Sequence, residues 1–92
     1  MIIARPKEQR QQDQAKRGIG ALRLLEDDLV KAWFEAEHTR LVEEMLRAEI
    51  ADDPKRRDCA LRIRCLSEMK SHLEAEAALG RQALKQLEKT NG

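Results

Sequence analysis

The stretch "ADDPKRRD", residues 51–58, lies between two long segments whose apolar residues recur with helical spacing, and it decides the fold. Pro54 suits the first turn of a helix, and Asp52 or Asp53 can cap that helix. The stretch could be a basic hook for nucleic acid or the corner of a helical hairpin. We interpret it as the corner, with residues 55–57 as solvated bases in the first turn of the second helix.

The composition predicts an all-α protein. The chain has 92 residues, 38% of them charged, and its only large aromatic side chains are Trp33 and Phe34. Helix formers dominate the rest, and a domain of this length has a modest core. No apolar run approaches the roughly 18 residues that a membrane span needs. We therefore expect a soluble protein made in a cytoplasm, with no membrane partner and no small-molecule substrate.

The expected architecture is an antiparallel two-helix hairpin with a short N-terminal helix and a basic arm. Residues 1–17 are predicted to form the arm, which is mobile or becomes helical on a partner, and residues 18–92 the hairpin domain. The "GIG" at residues 18–20 indicates a break. We place the long helices at about residues 28–51 and 54–88, the first beginning at acids that suit an N-cap.

Apolar residues of the second long helix recur every seven positions, which is typical of an antiparallel helix seam. Folding the chain at residue 53 pairs Glu37 with Lys70 and Glu44 with Arg62, so that two acids meet two bases. We predict that these pairs set the register of the hairpin. Gly80 falls opposite Asp27, where we expect a close backbone approach.

A hairpin of this kind leaves leucines uncovered at its longer end and along one flank. Exposed apolar strips mark interfaces, so we expect an oligomer or a protein partner to complete the fold. Trp33 is the expected anchor of this surface. The predicted protein interface consists of Leu22, Leu25, Trp33, Leu46, Ile50, Leu61, Leu79, Leu84 and Leu87.

Candidate catalytic and metal-binding patterns are weak, and we expect no enzyme, metal or cofactor. Glu35 and His38 have the E-x-x-H spacing of di-iron bundles, but Glu35 points away from the apolar face. The line of Glu68, His72 and Glu76 is ordinary on a charged helix. No Ser or Cys is spaced with a His as a nucleophile and its base would be, and no glycine loop is of the phosphate-binding kind.

Nucleic-acid binding is the alternative function. Basic residues of the arm could neutralise phosphates, as in a Rop-like helical-hairpin regulator. The near-zero net charge, the acidic first long helix and the scarcity of aromatic residues oppose this interpretation. The possible nucleic-acid arm consists of Arg5, Lys7, Arg10, Lys16 and Arg17.

Two segments carry a resemblance to a known family. The "LLEDDLVKAWFEAE" of residues 24–37 and the "LSEMKSHLEAEAALG" of residues 66–80 resemble recurrent segments of small, mostly uncharacterised proteins of tailed bacteriophages and prophages. Lys70, His72 and Gly80 match recurrent residues of that family. The chain departs from the pattern at Asp28, where the family usually has Pro, and at Ala60, where it usually has Trp.

The resemblance implies a function in phage assembly, because the family is encoded near packaging and head genes. It implies a virion component or a head or packaging assembly factor that acts by protein–protein binding. Its partners would be capsid, portal or neck proteins or further copies of itself, with DNA contact by the arm as an option. The expected location is the virion or the cytoplasm of the infected bacterial host. A regulator outside the particle fits the same residues.

Overall fold

The computed structural model describes residues 6–91, and these form three α-helices. They are α1 (Pro6–Glu26), α2 (Asp28–Arg47) and α3 (Asp53–Asn91). The all-α prediction is confirmed, since the described part of the chain contains no strand. None of the described helices is long and apolar enough to cross a membrane.

Helix α1 is one continuous helix, where the sequence predicts an arm, a hinge and a short helix. It runs without interruption from Pro6 through Gly18 and Gly20, across the boundary placed between residues 17 and 18. The predicted break at residues 18–20 is therefore wrong. Glycine costs a helix only about 1 kcal/mol relative to alanine, and tertiary packing overrides this cost because Gly18 is buried. Arg5 of the predicted arm lies outside the described residues.

A single residue, Asp27, separates α1 from α2. Its backbone is extended, and its Oδ1 accepts a hydrogen bond of 3.0 Å from the backbone N–H of Val30. This is the N-cap geometry that satisfies a free donor at a helix start, as the sequence predicts. Helix α2 ends at Arg47, a full turn before the expected residue 51, because residues 48–52 already form the connection to α3.

Asp52 and Arg56 organise the connection between α2 and α3. Asp52 Oδ1 accepts a 3.2 Å bond from the N–H of Lys55, which caps α3 as predicted. The Arg56 guanidinium donates to the carbonyl oxygens of Glu49 and Ile50 and to Asp53. Arg56 is half-buried and ties the connection together. The prediction that Arg56 is a solvated base is therefore wrong.

The chain forms two compact units. The terminal unit contains α1 up to Leu25 together with α3 from His72 onward. The corner unit contains residues 26–71, that is α2 and the first part of α3. Each unit thus pairs one helix with a different part of α3.

The terminal unit is held by small residues at helical spacing on both of its helices. A Cβ added to Gly18 would lie 2.4 Å from the Cα of Gly80, and a Cβ added to Gly80 would lie 2.5 Å from the Cα of Gly18. The two backbones are therefore in direct contact. The predicted close approach at Gly80 exists, but its partner is Gly18 and not Asp27. The buried residues of this unit are Ala15, Gly18, Ala21, Ala77, Gly80 and Ala83.

The corner unit has a small core in which Leu41 and Cys59 are each only 2% exposed. The Sγ of Cys59 lies 3.9 Å from Glu44 Oε2, at the edge of this core. Phe34 is half-buried, and its ring packs edge-on against Trp33 with 5.3 Å between ring centroids. Such a limited core leaves other large apolar side chains of the unit in solvent.

Candidate protein-binding surface

The corner unit exposes large apolar side chains near the α2–α3 connection. Leu46 is 80% exposed and Ile50 is 94% exposed. Both belong to the predicted interface and lie close in sequence to the residues that Arg56 ties together. Leu46 lies in the last turn of α2 and Ile50 in the connection after it, where Arg56 hydrogen-bonds to the Ile50 carbonyl oxygen. A partner could therefore bury both without first folding this part of the chain.

A second apolar feature of the corner unit is a ridge on the exposed side of α3, formed by Leu61, Cys65 and Met69. These residues are four positions apart, so their side chains form one inclined row on the helix surface. Leu61 is 54% and Met69 53% exposed, and Cys65 carries an exposed free thiol. We call this row the α3 ridge; Leu61 belongs to the predicted interface.

Charged residues flank the α3 ridge on both sides. Arg62 lies on one flank, with its Nε 3.0 Å from Asp58 Oδ2. Glu68 lies on the other, with its Oε1 3.2 Å from Arg64 Nε. All four side chains are more than half exposed, and such solvent-exposed pairs within one helix contribute at most about 1 kcal/mol. Arg62 and Glu68 are therefore available to a partner.

Trp33, the predicted anchor of the interface, lies in the corner unit and is 50% exposed. Leu29, one turn earlier on α2, is also exposed, and the sequence analysis did not select it. The spacing of four residues between them places both on one side of α2. That spacing is the signal that could have identified Leu29.

The terminal unit exposes apolar residues of its own. Leu22, Leu79 and Leu84 of the predicted interface are exposed, whereas Leu25 and Leu87 are half-buried. Two further exposed residues, Ile19 and Leu24, were not predicted. The predicted interface residues thus belong to two units, and each unit has exposed apolar residues of its own.

The glutamates that were expected to set the hairpin register bind an arginine of their own helix. Arg40 donates to Glu37 at 2.9 Å and to Glu44 at 2.7 Å. The hydrogen bond from Arg40 lowers the pKa of Glu37, and the charge of Arg62 lowers it further. The same two glutamates raise the pKa of Arg40. Pairing of Glu37 with Lys70 and of Glu44 with Arg62 stays a prediction.

A groove of about 520 Å³ runs between α2 and α3 in the corner unit. Glu35 and His38, the pair with di-iron spacing, both line it, as does Lys70. Its floor is apolar and its rim polar. Sequence reasoning missed this groove because its lining alternates between two helices. The lining consists of Phe34, Glu35, His38, Thr39, Ile63, Leu66, Ser67 and Lys70.

The basic residues of α1 are distributed around the helix. At about 100° per residue, Arg10 and Arg17 lie on one side of α1 and Lys16 on another. Lys7 and Arg10 line a shallow groove of about 360 Å³ in the terminal unit, together with glutamines. Lys7 lies about 60° from Arg10, so Lys7, Arg10 and Arg17 lie within about 80° on one side of α1, and Lys16 lies apart from them.

Polar contacts accompany the glycine contact in the terminal unit. Gln11 donates to Gln86 at 2.6 Å, and Gln14 donates to Glu76 at 3.0 Å. His72 Nε2 lies 4.0 Å from the other oxygen of Glu76. In residues 6–91 no group of three or more His, Cys, Asp or Glu side chains is arranged to hold a metal ion.

Comparisons of the chain with protein-family models, with curated proteins and with solved structures find no match.

Proposed function

We propose that this chain is a non-catalytic helical binding protein that assembles with other proteins through its exposed apolar side chains. The observation that carries the proposal is the exposure of Leu46, in the last turn of α2, and of Ile50, in the connection that follows, at 80% and 94%. Clustered apolar exposure of this kind is typical of interaction surfaces.

Burial of this surface would supply substantial binding energy. Fully burying one leucine or isoleucine side chain contributes about 1.5–3 kcal/mol, and part of that offsets the entropy lost on association. Leu46 and Ile50 can be buried in one contact, whereas Trp33, beside the exposed Leu29, lies about 20 Å from Leu46 along α2 and would anchor a separate one. Aromatic anchors surrounded by aliphatic side chains are a frequent composition of interface centres.

Within this proposal, the resemblance to small phage proteins makes the partner a component of a phage particle. The chain would be a virion component or a head or packaging assembly factor, bound to capsid, portal or neck proteins or to copies of itself. The support is the order of residues at 24–37 and 66–80 together with the exposed apolar residues. A chain with this function would be found in the virion or in the infected cell during assembly.

The test is quantitative mass spectrometry of particles purified from a phage that encodes the chain. We expect a fixed copy number relative to portal and major capsid protein for a virion component. For an assembly factor, we expect the chain in immature particles and its loss on maturation. Absence from both kinds of particle would contradict the proposal.

A variant of the proposed binding surface and a control variant test whether Leu46 and Ile50 are needed for incorporation into particles. Leu46→Ser with Ile50→Ser should reduce incorporation about tenfold or more, because both side chains are buried only in the complex. Glu43→Ser, an exposed polar position of α2, is the matched control and should incorporate normally. Equal incorporation of all variants would exclude the α2–α3 connection as the binding surface.

Binding to nucleic acid is the second candidate, favoured by the excess of bases on α1. Strong binding to DNA or RNA that weakens steeply with salt, and that reversal of Lys16 and Arg17 to Glu abolishes, would support it over protein binding. We place it second because the net charge of the chain is only +1 and aromatic residues that could stack on bases are scarce.

A further inference from the structure

We propose that a second copy of this chain docks on the α3 ridge, with the two α3 helices crossing at Cys65. This inference rests on the proposed function, for which it names a partner and a surface. The ridge of Leu61, Cys65 and Met69 is apolar and exposed, and it lies entirely within the corner unit.

The geometry of the ridge selects the crossing angle. A row of residues spaced by four is inclined about 26° to its helix axis. If a two-fold axis runs parallel to this row and close beside it, each row lies in a groove of the other copy and the two helices cross at about 50°, which is the commonest class of helix packing. The small Cys65 side chain stands at the centre, where two helices approach most closely, and the larger Leu61 and Met69 lie on either side of it.

Charge complementarity identifies the occupant as another copy and gives its orientation. Arg62 and Glu68 are each three residues from Cys65, on opposite flanks of the ridge, about 60° around the helix from it. A two-fold axis along the ridge exchanges the flanks and brings Arg62 opposite Glu68 of the second copy, twice per dimer. An axis across the ridge would instead place Arg62 opposite Arg62. The sequence around the ridge is thus self-complementary in one orientation only.

The dimer should be weak and dependent on concentration. A single helix crossing buries an interface at the low end of the specific size range, below about 1,200 Å². Arg62 and Glu68 would exchange their exposed partners within α3 for partners in the other copy. Apolar contact along the ridge then supplies the affinity, and the two charged pairs supply the orientation.

The first experiment traps the dimer through Cys65. Cys59 is buried, so Cys65 is the accessible thiol, and a short bis-maleimide should cross-link two copies of the purified full-length chain. We expect a covalent dimer that increases with protein concentration and is lost in Cys65→Ser. A chain that remains monomeric by sedimentation at millimolar concentration and does not cross-link would overturn the proposal.

The second experiment tests the orientation by charge reversal. Arg62→Glu and Glu68→Arg should each weaken the dimer about tenfold, since each change creates two like-charged pairs. An equimolar mixture of the two variants should recover wild-type affinity, and so should the variant that carries both changes. Arg81→Glu, at an exposed position of the terminal unit, is the control and should have no effect.

An axis across the ridge predicts a different pattern, in which the single reversals leave affinity unchanged. That result would overturn the proposed orientation. Failure of the dimer and failure of the proposed function are separable. A monomer that still enters phage particles would refute only the dimer, and a dimer absent from particles would refute only the particle assignment.

Discussion

At the scale of single residues, the contact between Gly18 and Gly80 has the most specific consequence. An added Cβ on Gly18 would overlap backbone atoms of α3, which cannot move aside as a flexible side chain can. We expect Gly18→Ala to destabilise the protein by about 2 kcal/mol, because overpacking outweighs the better helix propensity of alanine. Chemical unfolding followed by circular dichroism would measure the change in the free energy of unfolding.

Gly20 supplies the control for this substitution on the same helix. A Cβ added to Gly20 meets nothing within 4 Å, so only helix propensity changes there. We expect Gly20→Ala to stabilise the protein by up to about 1 kcal/mol. If the two alanine variants had the same stability, the close approach of α1 and α3 would be contradicted.

Arg56 provides a second test at the residue scale. Its guanidinium donates to two backbone carbonyls of the α2–α3 connection and to Asp53. Arg56→Ala removes these bonds, and we expect a loss of about 1–2 kcal/mol in the free energy of unfolding. The neighbouring Arg57 is exposed, and Arg57→Ala should change stability by less than about 0.5 kcal/mol. Equal thermal denaturation curves for the two variants would show that Arg56 has no such structural role.

At the scale of helices, the register of α2 against α3 can be tested by exchanging charges. If Glu37 faces Lys70, then Glu37→Lys and Lys70→Glu each place like charges together, and the double variant restores an attractive pair. We expect recovery of about half of the stability that the single variants lose, because Arg40 also binds Glu37 and loses that bond in the double variant. Thermal unfolding of the four proteins forms the double-mutant cycle, and additive effects would contradict the pairing.

The helices also show which parts of the fold could be predicted from sequence. The starts of α2 and α3 were predictable because Asp27, Asp52 and Pro54 act locally, through hydrogen bonds and ring geometry within one turn. The continuity of α1 was not, because local propensity treats Gly18 as a break, whereas its burial depends on residues more than fifty positions away. Matching three-residue spacings of small residues in the two segments were the available signal.

At the scale of the whole molecule, the sequence predicted that apolar side chains are exposed, but it did not predict the groove or the charged residues beside the α3 ridge. A short chain has a modest core and must leave some apolar side chains in solvent. The expected hairpin then predicted that Leu46, Ile50 and Trp33 are among them, and all three are exposed. The groove lined by Glu35 and His38 could not, because it requires knowing which side of α2 lies beside α3. Arg62 and Glu68, on the two flanks of the α3 ridge, could not be selected from sequence either, because their possible role depends on the ridge being exposed.

The small residues of the terminal unit also determine which incorrect registers α1 and α3 could adopt when they pair. Ala15 and Ala21 are equally distant from Gly18, as Ala77 and Ala83 are from Gly80. A slip of three residues, about 4.5 Å along the axis, would keep small residues in contact but would place an alanine methyl where two backbones now touch. Only the observed alignment puts glycine against glycine. The two glycines thus favour the observed register over the two registers shifted by three residues in either direction, which the alanines alone would permit.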